Sequence, residues 1–399
     1  MKTLFNDNWQ FAELPIDEKT MFDDGKPVLF EPEDFFDRAG TLEYAPVTLP
    51  HDWQIYHVKD LYRSSLGFYK KTFELDGGAD GRYIALNFEG VYMNSAVWIN
   101  GKLAGKWKYG YSAFEFDISS LVQAGQNEIL VIAVYQHCNT RWYSGAGIFR
   151  DVHLINSPAI HLVTDGVYFS AKPVDPAKLD GEWVVKISSE HTGSQITVLH
   201  TIINQSGKEF AQFPGDGEYT VNSPSLWDID TPNFYILKTL LLDQDGNLLD
   251  QTEQHCGFKH AVFTSDQGFF LNGRHVKIQG ACQHHDLGAL GSAFNAAALR
   301  RQFKKLKEMG VNAVRTSHNP PPRAWMDLCD QMGLLVDSEA FDMWEKPKTQ
   351  FDYGNYFNDW CERDVSSWVR HDRNHPSLIM WSIGNEIYDT HVGNGLEIT

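Results

Sequence analysis

Cysteine and positive charge are both scarce in this chain. Five cysteines, Cys138, Cys256, Cys282, Cys329 and Cys361, are scattered through 399 residues. They are odd in number and free of CxxC spacing, which argues against a disulfide framework and against a zinc ribbon. Lys and Arg total 34 against 52 Asp and Glu, a formal net charge of −18. A phosphate-backbone partner needs clustered cations that displace counterions, so no nucleic acid is expected. Long apolar runs are missing as well. Nothing reaches the roughly 18 uninterrupted apolar residues of a membrane span, and the opening MKTLFNDNWQFAELP lacks the apolar core of a secretory signal. A cytoplasmic, reducing setting with no membrane partner is therefore expected.

What is present is the composition of a folded protein, 42% hydrophobic and 22% charged. The length exceeds what one core usually supports, so two or three domains are expected. From residue 81 to about 155 short β-rich runs alternate with turns: RYIALNFEG, MNSAVWINGK, NEILVIAVYQH and FRDVHLIN. Asn100-Gly101 reads as a hairpin turn, since both residues tolerate positive φ. This stretch is expected to be an antiparallel sandwich or jelly roll, over residues 1–156. GEWVVKISSE, SQITVLHTII and FYILKTLLLDQDGNLLD then predict a small Ig-like β-sandwich over residues 157–261.

Near residue 262 apolar runs begin to alternate with helix-period segments, the grammar of βαβ units and a parallel sheet. HVKIQG (275–280) reads as the first buried strand, VNAVRTS as the second, LLVDS as the third and SLIMWSIGNE as the fourth. Leu299, Phe303, Leu306 and Met309 line one face of the first helix, which stops at Gly310. A closed (β/α)8 barrel has eight strands. Residues 262–399 thus predict the first half of a TIM barrel, in a multidomain chain with two sandwiches before it.

Active sites of such barrels lie at the C-terminal ends of the strands. Each of the four strand ends here is polar: Gln283-His284-His285-Asp286, Arg315-Thr316-Ser317-His318-Asn319, Asp337-Ser338-Glu339 and Asn385-Glu386. One polar end is commonly a cap or an ion-pair partner. Four in succession are hard to explain that way. HExxH, GxSxG, GxxxxGK[ST] and GxGxxG are all absent from suitable strands and helices, so zincin, serine-hydrolase, P-loop and dinucleotide chemistries lack their residues. Carboxylates, amides and imidazoles remain, the set that glycoside hydrolysis uses.

RNHPSLIMWSIGNE (373–386), GVNAVRTSHNPPP (310–322) and SGAGIFRDVHLIN (144–156) resemble signature segments of family 2 glycoside hydrolases of the β-galactosidase type. LPHDW, EGVYMNSAVWINGK, PSLWDIDTPNFY and GFFLNGRHVKIQG also match, in that family's order of sugar-binding jelly roll, Ig-like domain and barrel. The resemblance implies that Glu386 is the general acid/base of a retaining mechanism and that Asn385 contacts the sugar 2-hydroxyl. It implies that Arg315 orients the nucleophile, and that His284 and His318 line the sugar subsite. Asp151 would reach from the jelly roll to a sugar hydroxyl. His285 and Asp286 fit surface or supporting roles. The apolar residues before Glu386 are expected to bury it in part and, together with the charge of the second carboxylate, to raise its pKa.

One departure bears on cofactors. Well-known bacterial β-galactosidases place Glu and His after the third strand to bind magnesium, where this chain reads Ala340-Phe341-Asp342-Met343-Trp344. No metal or other cofactor is carried over. Asp342 and Trp344 are treated as subsite candidates, Trp344 as a stacking platform or a packed aromatic. The family's nucleophilic glutamate follows the seventh strand, so it is expected outside these 399 residues, and the chain alone is expected to be inactive. HHDLGALG and GNEI look more like β-galactosidases than β-glucuronidases, which tend to read Ala-Asn-Glu. The expected partner is a β-galactoside, with a glucuronide or other glycoside as alternatives and a homo-oligomer compatible with the resemblance. A non-catalytic carbohydrate-binding protein is the alternative of another class.

Overall fold

Strand Gly125–Tyr135 shows how the first module forms. Its run of Ile, Leu and Val is buried on both sides, because Ser65–Leu75 pairs with it along one edge and Ser95–Ile99 along the other. These belong to a six-stranded sheet in the order Ala45–Val47, Trp9–Pro15, Ser65–Leu75, Gly125–Tyr135, Ser95–Ile99, Lys102–Trp107. A four-stranded sheet of Lys2–Leu4, Val152–Pro158, Arg82–Phe88 and Phe114–Asp117 faces it. Trp9, Phe88, Ile129 and Val131 are among the side chains of the core they share. Asn100 and Gly101 take φ of 50° and 78°, as the hairpin turn demands. This computed structural model describes residues 2–391.

The second module is a smaller sandwich of Ig-like type. Tyr168–Pro173, Glu182–Ser188 and Gly217–Asn222 form one sheet, and Glu209–Pro214, Thr197–Asn204, Tyr235–Leu242 and Leu248–Cys256 the other. Trp183 and Phe258 meet edge to face, centroids 5.7 Å apart, in its centre.

The third module carries four parallel strands in sequential order, Gly280–Gln283, Ala313–Thr316, Leu335–Glu339 and Leu378–Ser382. Helices α1 (Ala296–Glu308), α2 (Arg323–Met332) and α3 (Phe357–Asp372) connect them. This is the start of a TIM barrel. The first strand begins later than the sequence suggests. Asn272 and Gly273, both at positive φ, turn the chain so that Arg274–His275 closes an antiparallel hairpin on Gly268–Leu271, and the chain reaches Ala313 only at Gly280. The fourth strand also differs from expectation. Met380 and Trp381 are 37% and 40% exposed, because among the described residues only Leu335–Glu339 pairs with that strand.

Helix α2 ends at Gly333, in the left-handed conformation with φ 65°. A Cβ there would stand 2.4 Å from the Ile229 carbonyl oxygen, so glycine lets the barrel approach the Ig-like module. The jelly roll and the barrel share one core, in which Tyr109 and Phe149 pack with Phe341, Trp344 and Phe357. Arg150, 1% exposed, donates to the carbonyls of Tyr111 and, across the junction, Pro320 at 2.5 and 2.8 Å.

Asp364 on α3 anchors the same junction. It accepts from Trp107 Nε1 at 3.0 Å and from Ser112 Oγ, both in the jelly roll, and from Tyr353 OH. Burial raises its carboxyl from 3.8 to about 7, against the pull of these donors. The folded value lies above the unfolded one, so this group's contribution is fully present below about pH 4 and is lost as pH rises through 7. We expect the melting temperature to fall between pH 5 and 8 by an amount that Asp364→Asn reduces, an effect of a few kcal/mol at most. Scanning calorimetry of both proteins across that range checks it, and parallel profiles would contradict it.

Candidate active site

Glu339 closes the third parallel strand with its side chain fully buried. A lone carboxylate there would cost several kcal/mol. It is compensated by two neighbours: Arg315 Nη2 donates to Oε1 at 2.6 Å, and His318 Nδ1 lies 3.0 Å from Oε2. Arg315, from the second strand, also donates to Asn385 Oδ1 at 3.2 Å and holds Nε 3.8 Å from Asp337 Oδ2. The ends of strands two, three and four are thereby tied through one guanidinium fork.

Asp342, 2% exposed, forms a second hub. Asn385 Nδ2, Arg141 Nη2 and Lys348 Nζ donate to its Oδ1 at 2.8, 2.8 and 3.0 Å, and Arg141 Nε lies 3.3 Å from Oδ2. Burial works against its charge, but the bonds from Arg141, Asn385 and Lys348 hold its carboxyl below the ordinary value. Lys348 also donates to the Asn385 carbonyl at 2.7 Å, and the Asn385 amide donates to Phe341 at 2.9 Å. Asn385 is therefore held by its side chain and by both peptide groups.

Glu386 follows at φ 46°, a left-handed conformation that costs a non-glycine residue on the order of 1 kcal/mol. Its side chain is 65% exposed and accepts from Arg141 Nη1 at 3.0 Å. The partial burial expected from the preceding apolar residues is absent, because Met380, Trp381 and Ile383 are themselves exposed. Arg141 and Trp142 come from the loop between the jelly-roll strands Gly125–Tyr135 and Val152–Pro158. The Trp142 ring packs 5.1 Å from His284 and 5.5 Å from His318. Arg141, Trp142, His284, Arg315, His318, Asn385 and Glu386 line an open cavity of 390 Å³.

His284 Nδ1 is buried without a protein partner among the described residues, and burial, then His318, pushes its pKa down. The His284 side chain lines the cavity beside His318 and Trp142. His285 is pushed to about 3 by burial and sits 2.9 Å from the Ser144 carbonyl, fastening the Arg141–Trp142 loop from below. The Asp286 carbonyl accepts from Gln302 Nε2, and Asp286 does not line the cavity.

Two expected site residues lie elsewhere. Asp151 accepts from Asn6 Nδ2 at 2.8 Å and faces a different cavity, shared with Lys2, Glu89 and Arg323. Strand Val152–Pro158 starts just after it, so its side chain stays with the sheet while the preceding loop crosses to the barrel. Trp344 is 3% exposed, donates to the Ile383 carbonyl at 3.1 Å and stacks on Phe357. It is a packed aromatic and presents no free face. Arg141, Trp142, Lys348 and Glu339 belong to the constellation although sequence reasoning did not select them. Only Glu339 carried a signal, as a carboxylate at a strand end. The residues after the third strand do not fit a magnesium ion, since the Asp342 oxygens are already engaged by Arg141, Lys348 and Asn385.

Two sandwiches ahead of parallel strands, with carboxylates, an amide and imidazoles at the strands' C-terminal ends, define the multidomain glycoside hydrolase class. Three family descriptions match the chain: "Glycosyl hydrolases family 2, sugar binding domain" over residues 8–158, "Glycosyl hydrolases family 2" over 167–259, and "Glycosyl hydrolases family 2, TIM barrel domain" over 262–396. The chain belongs to glycosyl hydrolase family 2. It is 39% identical to beta-galactosidase BoGH2A of Bacteroides ovatus, over 87% of this chain and 44% of that protein. A beta-glycosidase structure from Bacteroides vulgatus superposes with a TM-score of 0.86 at 32% identity, covering 100% of this chain and 52% of the other. Bacteroides uniformis beta-glucuronidase 2, covalently bound to cyclophellitol-6-carboxylate aziridine, gives 0.77 at 27% identity, covering 100% and 49%. The chain thus spans about half the length of the relatives it matches.

Proposed function

We propose that the complete protein hydrolyses terminal β-D-galactosides with retention of anomeric configuration, Glu386 serving as general acid/base and a carboxylate from beyond residue 399 as nucleophile. The observation that carries this reading is the placement of Asn385-Glu386 at the end of the fourth parallel strand. Both residues open into the cavity that His284, His318 and Arg315 also line. In the first step the nucleophile attacks C1 while Glu386 gives its proton to the departing oxygen. In the second, Glu386 takes a proton from water, whose oxygen attacks C1 and releases the nucleophile.

The remaining side chains set up these steps. Asn385, with its backbone held by Lys348 and Phe341, presents an amide to the sugar 2-hydroxyl, and the imidazole of His284, which lines the same cavity, meets another hydroxyl. Arg315 keeps positive charge beside the strand ends, where it orients an arriving carboxylate. Arg141 can withdraw from Glu386 onto Asp342, to which it already makes two bonds, freeing Glu386 to carry its proton. The covalent inhibitor on the B. uniformis relative supports a double displacement, since such a bond needs a protein nucleophile. That relative also favours a second reading, a β-glucuronide as substrate; comparison of nitrophenyl β-galactoside with nitrophenyl β-glucuronide separates the two.

Retention is tested by proton NMR of the first sugar released from a β-galactoside. The β-anomer should appear first and mutarotate later. An initial α-anomer would contradict the mechanism.

A further inference from the structure

Apart from the catalytic cavity, the described residues bring one group of metal-ligating side chains together, where the Ig-like module meets the barrel. His255 comes from the last Ig-like strand, Leu248–Cys256, and Asp327 and Asp330 from one face of α2 at i and i+3. His375 comes from the turn after α3. Both imidazoles aim Nδ1 at the same atom: His255 and His375 lie 2.8 and 2.6 Å from Asp330 Oδ2. Asp327 Oδ1 stands 3.3 and 3.9 Å from the same two nitrogens, too far for a tight hydrogen-bonded pair. All four ligand atoms lie within 4.8 Å of one another.

We propose that His255, Asp327, Asp330 and His375 form a site for a divalent transition metal, of which zinc is the representative, that clamps the Ig-like module onto the barrel. Three physical features point there. A tetrahedral zinc ion with bonds of about 2.0–2.1 Å sets its ligand atoms about 3.3 Å apart, and the four measured separations lie on either side of that spacing. Two imidazole nitrogens and two carboxylate oxygens suit zinc, whereas calcium and magnesium ask for six or more oxygens. The place is also buried, with Asp330 0% and His375 4% exposed, and a divalent ion held between the two carboxylates would balance their charge there.

The surroundings supply a support and a route. The Ser377 amide donates to Asp330 Oδ1 at 3.0 Å, leaving Oδ2 for the metal. Asp327, 32% exposed at its side chain, lines the large cavity of 810 Å³ between the three modules, so an ion can enter from solvent past it. On binding, each imidazole turns its Nδ1 lone pair to the ion and carries its proton on Nε2. The site shares no residue with the sugar cavity, and it rests on no assumption about substrate.

The test uses the complete protein, stripped with chelator, incubated with zinc and dialysed. Metal analysis by mass spectrometry should find one zinc per chain. X-ray absorption at the zinc edge should give two nitrogen and two oxygen ligands at about 2.0–2.1 Å. His255→Gln and Asp327→Asn, both at partly exposed positions, should each lower zinc affinity at least tenfold while melting like the stripped wild type. Zinc should raise the melting temperature of the wild type and of neither variant. A wild type that retains no zinc, or an affinity loss below tenfold in either variant, would overturn the site and leave a hydrogen-bonded Asp330 with two histidines.

Discussion

The 399-residue chain assayed alone should hydrolyse nitrophenyl β-galactoside no faster than a heat-treated control. Glu386 can donate a proton, but the proposed mechanism also needs a carboxylate that attacks C1, and the resemblance places it after a seventh strand. Losing one member of a cooperating catalytic set costs roughly 10³-fold or more. The geometry agrees: Glu386 is 65% exposed and paired with Arg141, and Met380, Trp381 and Ile383 beside it are exposed, so the described residues leave the proton open to water. Mixing the chain with a separately expressed downstream half should restore turnover. Activity that tracks with the chain's own monomer peak on a sizing column would contradict the assignment of the nucleophile.

In the complete protein, Glu386→Gln should lower kcat/KM for alkyl β-galactosides by about 10²–10⁴-fold. Aryl galactosides with acidic phenols should lose less than about tenfold, because a leaving oxygen that departs as a stable anion needs no proton. Glutamine keeps the length and the hydrogen bond to Arg141, so the split between substrates reports on proton donation rather than on folding. Equal losses on the two classes would remove Glu386 from the acid/base role.

Much of the fold is legible in the sequence because its signals are local. The Asn100-Gly101 turn, the arrest of α1 before Gly310 and the left-handed Gly333 after α2 each follow from backbone chemistry confined to a few residues. Local pattern misleads where a tertiary partner decides. HVKIQG has the composition of a buried strand, yet a hairpin captures its first residue and the parallel pairing starts at Gly280. Met309 completes an apolar stripe in sequence but caps α1 and is 78% exposed.

The site divides in the same way. His284, Arg315, His318, Asn385 and Glu386 stand at strand ends, and the barrel's geometry alone gathers them. Arg141 and Trp142 arrive from a sandwich loop about 200 residues earlier, and no periodicity announces that a loop will cross to another module. The resemblance carried by SGAGIFRDVHLIN implies Asp151 as the residue that crosses. The crossing occurs a few residues before it, where His285 fastens Ser144. Lys348 stays hidden for a different reason: a buried lysine is recognisable only once its carboxylate and carbonyl partners are seen around it.

The role of Glu386 is tested most directly by removing its side chain and supplying a small anion. Glu386→Ala, given an activated aryl β-galactoside, should accumulate a galactosyl-enzyme, since the deprotonation of water is lost. Azide needs no base and fits the vacated space on the β face, where it attacks C1 and expels the nucleophile. The account predicts renewed turnover with azide and β-galactosyl azide as the product by NMR. An α-galactosyl azide would mean that Glu386 is itself the nucleophile, and the absence of any azide adduct or rescue would contradict its place in the reaction.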